Sequence, residues 1–164
     1  MSKTEKGLSE AFAGESQANR RYLAFAKKAE EEGYQQVAKL FRAAAEAETV
    51  HAHNHLRALG GIKGTEENLK AAIHGETYEF ESMYPPFIAD AKVEGHKDAE
   101  RSFMWANEVE KIHARLYREA LENLGKNKEV DYYVCGLCGN TVEGSAPDKC
   151  SVCGAGKQMF KKIE

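Results

Sequence analysis

Glu48-Thr49-Val50-His51 sets a carboxylate and an imidazole three residues apart in a stretch of helical periodicity, and Glu110-Lys111-Ile112-His113 repeats the pattern. Residues at i and i+3 are neighbours on one helix face, so each pair offers one oxygen and one nitrogen ligand to a common point. Two such pairs imply a two-metal site. Around the first, the stripe Val37, Leu40, Phe41, Ala44, Glu48, His51, His55, Leu59 has the spacing of a face turned to a core. Around the second it reads Phe103, Ala106, Glu110, His113, Tyr117, Leu121, Leu124. Each glutamate stands where a leucine would pack better. An ionised carboxylate there costs on the order of several kcal/mol unless a cation offsets it.

Outward from these pairs, the chain reads as four helices. From Thr4 to Glu32 the stripe Leu8, Ala11, Phe12, Glu15, Tyr22, Phe25, Ala29 is again interrupted by a glutamate, and Gly33 ends the segment. Tyr34 to Leu59 forms a second helix, stopped by Gly60-Gly61 and joined to the first by an antiparallel turn. Thr65-Glu66-Glu67-Asn68 supplies an N-cap and acidic first turn for a third, whose face carries Leu69, Ala72, Ile73, Glu76, Glu79, Phe80, Met83 and Phe87. Pro85-Pro86 must kink or rewind it, since proline lacks the amide and clashes with the preceding turn. Gly95 ends it, and a fourth helix runs from His96 or Lys97 to Leu124.

The two halves echo each other at an offset of 62 residues: Tyr22 with Tyr84, Phe25 with Phe87, Gly33 with Gly95, Phe41 with Phe103, Glu48 with Glu110, His51 with His113. A duplicated helix pair implies a four-helix bundle with pseudo-twofold symmetry. Glu15 maps to Thr77, between Glu76 and Glu79, so one half carries an extra carboxylate.

At 164 residues the chain accommodates one bundle, residues 1–126, and a small appendage, residues 130–164. A net charge of −3 argues against a nucleic-acid partner. No apolar run reaches the ~20 residues of a membrane span, and the polar start MSKTEKGLSE has no signal-peptide core, so a soluble cytoplasmic protein is expected. All four cysteines lie in the appendage, as Cys135-Gly136-Leu137-Cys138 and Cys150-Ser151-Val152-Cys153. Two C-x-x-C knuckles, with Gly139 and Gly154 turning backbone amides toward the sulfurs, suit a tetrahedral metal better than a disulfide framework. The eleven residues between the inner cysteines are fewer than in the common zinc ribbon. Val130 to Val134 and Lys157 to Lys162 read as strands.

The helices thus offer Glu15, Glu48, His51, Glu76, Glu79, Glu110 and His113, the ligand set of ferritin-like dimetal carboxylate sites with one carboxylate to spare. Oxygen-rich ligation with one imidazole per half suits iron or manganese. His55 pairs with Tyr117 in the repeat and reads as a core or supporting residue; His53, His74 and His96 read as structural. Tyr22 and Tyr84 pack, or donate a phenolic hydrogen bond toward a metal-bound oxygen species. Trp105 reads as packing or interface. Four thiolates accept zinc and iron alike. The adjoining dimetal site favours iron, which passes single electrons where zinc cannot.

Ala-Gly-Glu-Ser-Gln-Ala at 13–18, Glu-Thr-Val-His at 48–51, Gly-Glu-Thr-Tyr-Glu at 75–79 with Met-Tyr-Pro at 83–85, Glu-Lys-Ile-His at 110–113 and the paired cysteines together resemble the rubrerythrin family over essentially the whole chain. The resemblance implies a ferritin-like diiron domain joined to a rubredoxin-like domain with one iron on four thiolates, acting as a peroxidase that reduces hydrogen peroxide to water. It implies that Glu48 and Glu110 bridge the two irons, that Glu15, Glu76, Glu79, His51 and His113 are terminal ligands, and that one iron moves between Glu79 and His51 with redox state. A rubredoxin or an NAD(P)H-dependent reductase is the implied donor, and no G-x-G-x-x-G fingerprint follows a strand in this chain. The fourth helix rises roughly 16 Å from His113 to Leu124, which suggests that the cysteine unit is carried away from its own diiron site and serves a partner subunit in a head-to-tail homodimer. The rival readings are a ferritin-like iron-oxidising or storage protein and a zinc-stabilised interaction protein.

Overall fold

The computed structural model describes residues 1–164 and opens its first helix, α1 (Lys3–Glu31), with a capping box. The Glu5 amide donates to Ser2 Oγ at 3.1 Å, and the Ser2 amide donates to Glu5 Oε2 at 2.6 Å. These bonds satisfy amides that a helix start leaves unpaired. Gly33, at φ +85°, reverses the chain, and Tyr34 N–H closes back on Ala29 O at 2.8 Å. A side chain at that φ is strained, so glycine sets the turn. The second helix, α2 (Gln35–Ala58), returns antiparallel: Arg42 meets Glu30 near the turn, and Asn19 reaches Ala45 and Thr49 farther along.

By packing, the chain divides into Met1–Lys63 and Gly64–Glu164. In the first unit the buried residues are Ala26 and Ala29 of α1 and Ala38, Ala45 and Ala52 of α2, the last three at heptad spacing. Small side chains let two helix backbones approach closely, and the seam forms there. This displaces the expected apolar stripe. Val37 and Leu40 are 44% and 67% exposed, because the alanine row beside them takes the contact.

The second unit begins with α3 (Thr65–Tyr78), whose cap is Gly64 rather than the expected Thr65. Thr65 lies inside the first turn, and Glu66 and Glu67 there face the positive helix end. The rewinding expected at Pro85-Pro86 is a π turn at Glu79–Met83, in which Tyr84 N–H bonds Glu79 O five residues back. One extra residue per turn absorbs the proline clash without ending the helix, which continues as α4 (Tyr84–Val93). Gly95, at φ +72°, repeats the Gly33 turn, and His96 Nδ1 accepts from Ala99 N–H to cap α5 (Lys97–Glu122).

The repeat is visible in the packing. Tyr22 and Phe25 meet Phe41 at ring separations of 6.2 and 5.6 Å, while Tyr84 and Phe87 meet Phe103 at 6.3 and 5.6 Å. Each hairpin carries the same aromatic cluster beside its turn.

Beyond α5 the chain doubles back, with Asn127 Nδ2 donating to Ala120 O at 3.2 Å. The strands β1 (Tyr132–Cys135), β2 (Thr141–Glu143) and β3 (Phe160–Ile163) form an antiparallel sheet in the order β2-β1-β3. A 3₁₀ turn at Lys157–Met159 occupies the first half of the last expected strand, and β2 was not anticipated. The sheet unit lies along α5. A Cβ on Gly139 would stand 3.8 Å from Val109 Cγ1, and Val109 is 2% exposed. The cysteine unit is therefore not carried away from His113: residues 123–131 reverse the chain, so the rise of α5 is spent bringing the knuckle back alongside it.

Candidate metal centres

Three groups of side chains that could hold a metal assemble, each with its donor atoms within 4.8 Å of one another: Glu15, Glu48 and His51; Glu76, Glu110 and His113; and Cys135, Cys138, Cys150 and Cys153. The first lies on α1 and α2. His51 Nδ1 is 2.8 Å from Glu48 Oε2, as the i, i+3 spacing requires. Beside it, Asn19 Nδ2 donates to Ala45 O at 2.7 Å and to Thr49 Oγ1 at 2.8 Å, a latch holding α1 to α2 within one residue of Glu48.

The second group lies on α3 and α5. His113 Nδ1 is 2.7 Å from Glu110 Oε2 and 3.9 Å from Glu76 Oε2. Burial, and then the hydrogen bond and charge of Glu110, push the Glu76 carboxyl up to about 7. Glu79, the first residue of the π turn, is also raised, by burial and by the charge of Glu110, although it stands outside the close-packed trio. The hydrogen bond to Glu110 raises His113. Crowded carboxylates that must share protons are what a cation relieves, and hard oxygens with one imidazole are a donor set that iron accepts. Arg118 Nη2 donates to Thr77 Oγ1 at 2.9 Å, tying α5 to α3 beside Glu76.

The four sulfurs also fit a metal. Cys135 and Cys153 Sγ are 3.7 Å apart and Cys138 and Cys150 Sγ 3.6 Å, close to the edge of about 3.8 Å of a tetrahedron with arms of ~2.3 Å. Gly139 and Gly154, at φ +83° and +75°, turn the backbone as expected, so that the amides just after them reach sulfur. Gly139 and Gly154 N–H donate to Cys135 O and Cys150 O, closing the turns; the amides that reach sulfur are those of Asn140, Val152, Cys153 and Ala155. Asn140, 1% exposed, adds its Nδ2 at 3.4 Å from Cys150 Sγ. Although burial opposes it, the donors bring the Cys150 thiol down to about 6, while burial pushes Cys138 and Cys153 up.

A family model described as rubrerythrin matches residues 6–121, and one described as the rubrerythrin rubredoxin-like domain matches residues 133–161. The chain belongs to the rubrerythrin family. It is 36% identical to Rubrerythrin-2 of Clostridium acetobutylicum, over 94% of this chain and 93% of that one. To rubrerythrin of Porphyromonas gingivalis it is 36% identical over 99% and 91% of the two chains, and to nigerythrin of Nitratidesulfovibrio vulgaris 34% over 96% and 85%. A solved structure of fully reduced, all-ferrous nigerythrin superposes with a TM-score of 0.60 at 32% identity, covering 99% of this chain and 88% of that one. The fold class is accordingly all-α and ferritin-like, with a small rubredoxin-like metal-knuckle domain. Rubrerythrins bind iron at diiron and rubredoxin-like centres, and this chain carries donors for both.

Tyr84 is raised by burial and by Glu79, Glu110 and Glu76, which places its hydroxyl within the field of that carboxylate group. Tyr22 lies in the first hairpin's aromatic cluster. Tyr117, read from sequence as a packing position, is raised by burial and by Glu76 and Glu110 and is the residue whose place at this site the repeat could have signalled, since it mirrors His55. Thr141 was missed altogether. Its Oγ1 is 2.9 Å from His113 Nε2 across the reversal of the chain, and no sequence spacing reveals that meeting. Trp105 stacks under Arg101 at 5.6 Å and lines a groove with Leu137 and Cys138.

Proposed function

We propose that the chain is a peroxidase that reduces hydrogen peroxide to two waters, with Glu15, Glu48, His51, Glu76, Glu79, Glu110 and His113 holding two iron ions and Cys135, Cys138, Cys150 and Cys153 holding a third. The observation that carries this reading is the seating of the thiolate knuckle on α5, with Thr141 bonded to a ligand of the other centre. Storage of iron needs no attached one-electron relay. When bound, the paired irons supply the two electrons that cleave the O–O bond, and the thiolate iron replenishes them singly.

The protein's own groups divide the remaining work. Glu48 and Glu110, first in each Glu-x-x-His pair, would be the carboxylates common to both ions, and Glu15, Glu76, Glu79, His51 and His113 would each serve one of them. Glu79 stands outside the Glu76–Glu110–His113 trio, on a π turn, and would be the carboxylate that trades places with His51 as charge changes. Tyr84, held protonated by its surroundings, would donate a hydrogen bond toward bound peroxide, with Tyr22 as its counterpart. A separate rubredoxin or NAD(P)H-dependent reductase delivers electrons to the thiolate iron. No helix is long and apolar enough to cross a membrane, and a reducing cytoplasm would keep the thiols available to metal. Val37, Leu40 and Val50 leave apolar surface on α2, which supports a homodimer in which a second copy would cover it.

Anaerobic reduction followed by stoichiometric peroxide tests the activity. Reoxidation much faster than with dioxygen is expected, and Glu110→Ala should abolish it while leaving the iron-thiolate colour. Reoxidation faster with dioxygen, accompanied by iron deposition, would favour the storage reading. A colourless, zinc-containing C-terminal unit would favour the interaction reading.

A further inference from the structure

The second hydrogen bond of Thr141 gives its contact with His113 a preferred direction. Thr141 Oγ1 gives its one proton to Gly139 O at 3.2 Å, so toward His113 Nε2, at 2.9 Å, it presents a lone pair. His113 Nε2 must then carry the proton, which leaves Nδ1, the nitrogen beside Glu110 and Glu76, as the ligand atom. The first hairpin lacks this device: His51 Nδ1 faces Glu48, while its ring is more than half exposed.

We propose that Thr141 is a positioning residue for the dimetal site, fixing the tautomer and ring plane of His113 from the rubredoxin-like domain. Metal-bound histidines generally rely on a partner at the second nitrogen. Here it belongs to the domain that holds the other metal. Gly139, the acceptor of the Thr141 proton, follows Cys138 directly, so a thiolate ligand and an imidazole ligand are joined by one peptide and two hydrogen bonds. Seating of the knuckle on α5, through Gly139 against Val109, thereby becomes a condition for a fully formed diiron site. The inference rests on the assignment of His113 as a metal ligand, not on the peroxidase reaction.

The test compares Thr141→Val, which keeps shape but removes the acceptor, with Thr141→Ser, which keeps the acceptor. Ferrous iron affinity of the dimetal site is measured anaerobically on full-length protein, and the His113 tautomer is read by nitrogen NMR with zinc in both sites. Thr141→Val is expected to weaken iron binding about 10-fold and to lose the single Nε2–H signal, with the visible iron-thiolate bands unchanged. Thr141→Ser should restore both. Wild-type affinity and tautomer in Thr141→Val, or an equal loss in Thr141→Ser, would overturn the proposal. Neither readout uses peroxide, so a wild-type protein unreactive toward peroxide would sink the peroxidase reading and leave this one standing or falling on its own result.

Discussion

Glu76 and His113 tie the site to pH with the same sign. Glu76 is raised to about 7, so the folded chain holds a proton there that the unfolded chain has released above the ordinary carboxylate range; stability conferred by that proton is lost as pH rises toward 7. His113 is raised too, and its contribution is complete below the usual imidazole value and disappears as pH climbs through its higher folded value. Metal-stripped protein should therefore melt at progressively lower temperature as pH rises from about 5 to about 8. Glu76→Gln should flatten the acidic part of that profile. Iron inverts the trend, because it replaces the shared protons, and a thermal-melt series with and without metal checks both signs. Asn140 offers a second residue-level prediction. Replacing it with alanine removes a donor to Cys150 sulfur, so the midpoint potential of the thiolate iron should move to more negative values in a spectroelectrochemical titration.

At the level of elements, the alanine seam decides how closely α1 and α2 approach. Ala45→Leu adds three carbons where the residue is 1% exposed, and overpacking should cost about 1–3 kcal/mol in denaturant unfolding, whereas Leu40→Ala, on the exposed flank, should cost little. The same comparison marks the limit of periodicity. Helical spacing located the face to within one residue, but the choice between a leucine stripe and the adjacent alanine row depends on how near the second helix comes. The π turn divides in the same way. Pro85-Pro86 announced a disturbance, yet whether the backbone kinks, stops or inserts a residue depends on the helix continuing to pack on α5, which α3 and α4 both do. The cap of α3 moved by one residue because Gly64 takes the extended conformation at the helix start and Thr65 enters the first turn.

On the scale of the whole molecule, the reversal at residues 123–131 sets the knuckle beside α5, which offers an in-chain electron route as an alternative to the head-to-tail one. Mixing Cys135→Ser chains, which lack a working thiolate site, with Glu110→Ala chains, which lack a working dimetal site, checks this. An in-chain route predicts no recovery of peroxide turnover in the mixture, while a head-to-tail route predicts recovery in mixed dimers to a sizeable fraction of wild type.

Sequence by itself determined the ligand types, the duplicated hairpin and the two knuckles, because i, i+3 pairing, glycine turns and C-x-x-C spacing are local geometry written into a few consecutive residues. Only tertiary structure decided which row of small residues would be buried, how the prolines would be accommodated, and that Thr141 would meet His113. Those outcomes depend on contacts between residues far apart along the chain, and their free energy belongs to the pair rather than to either segment alone.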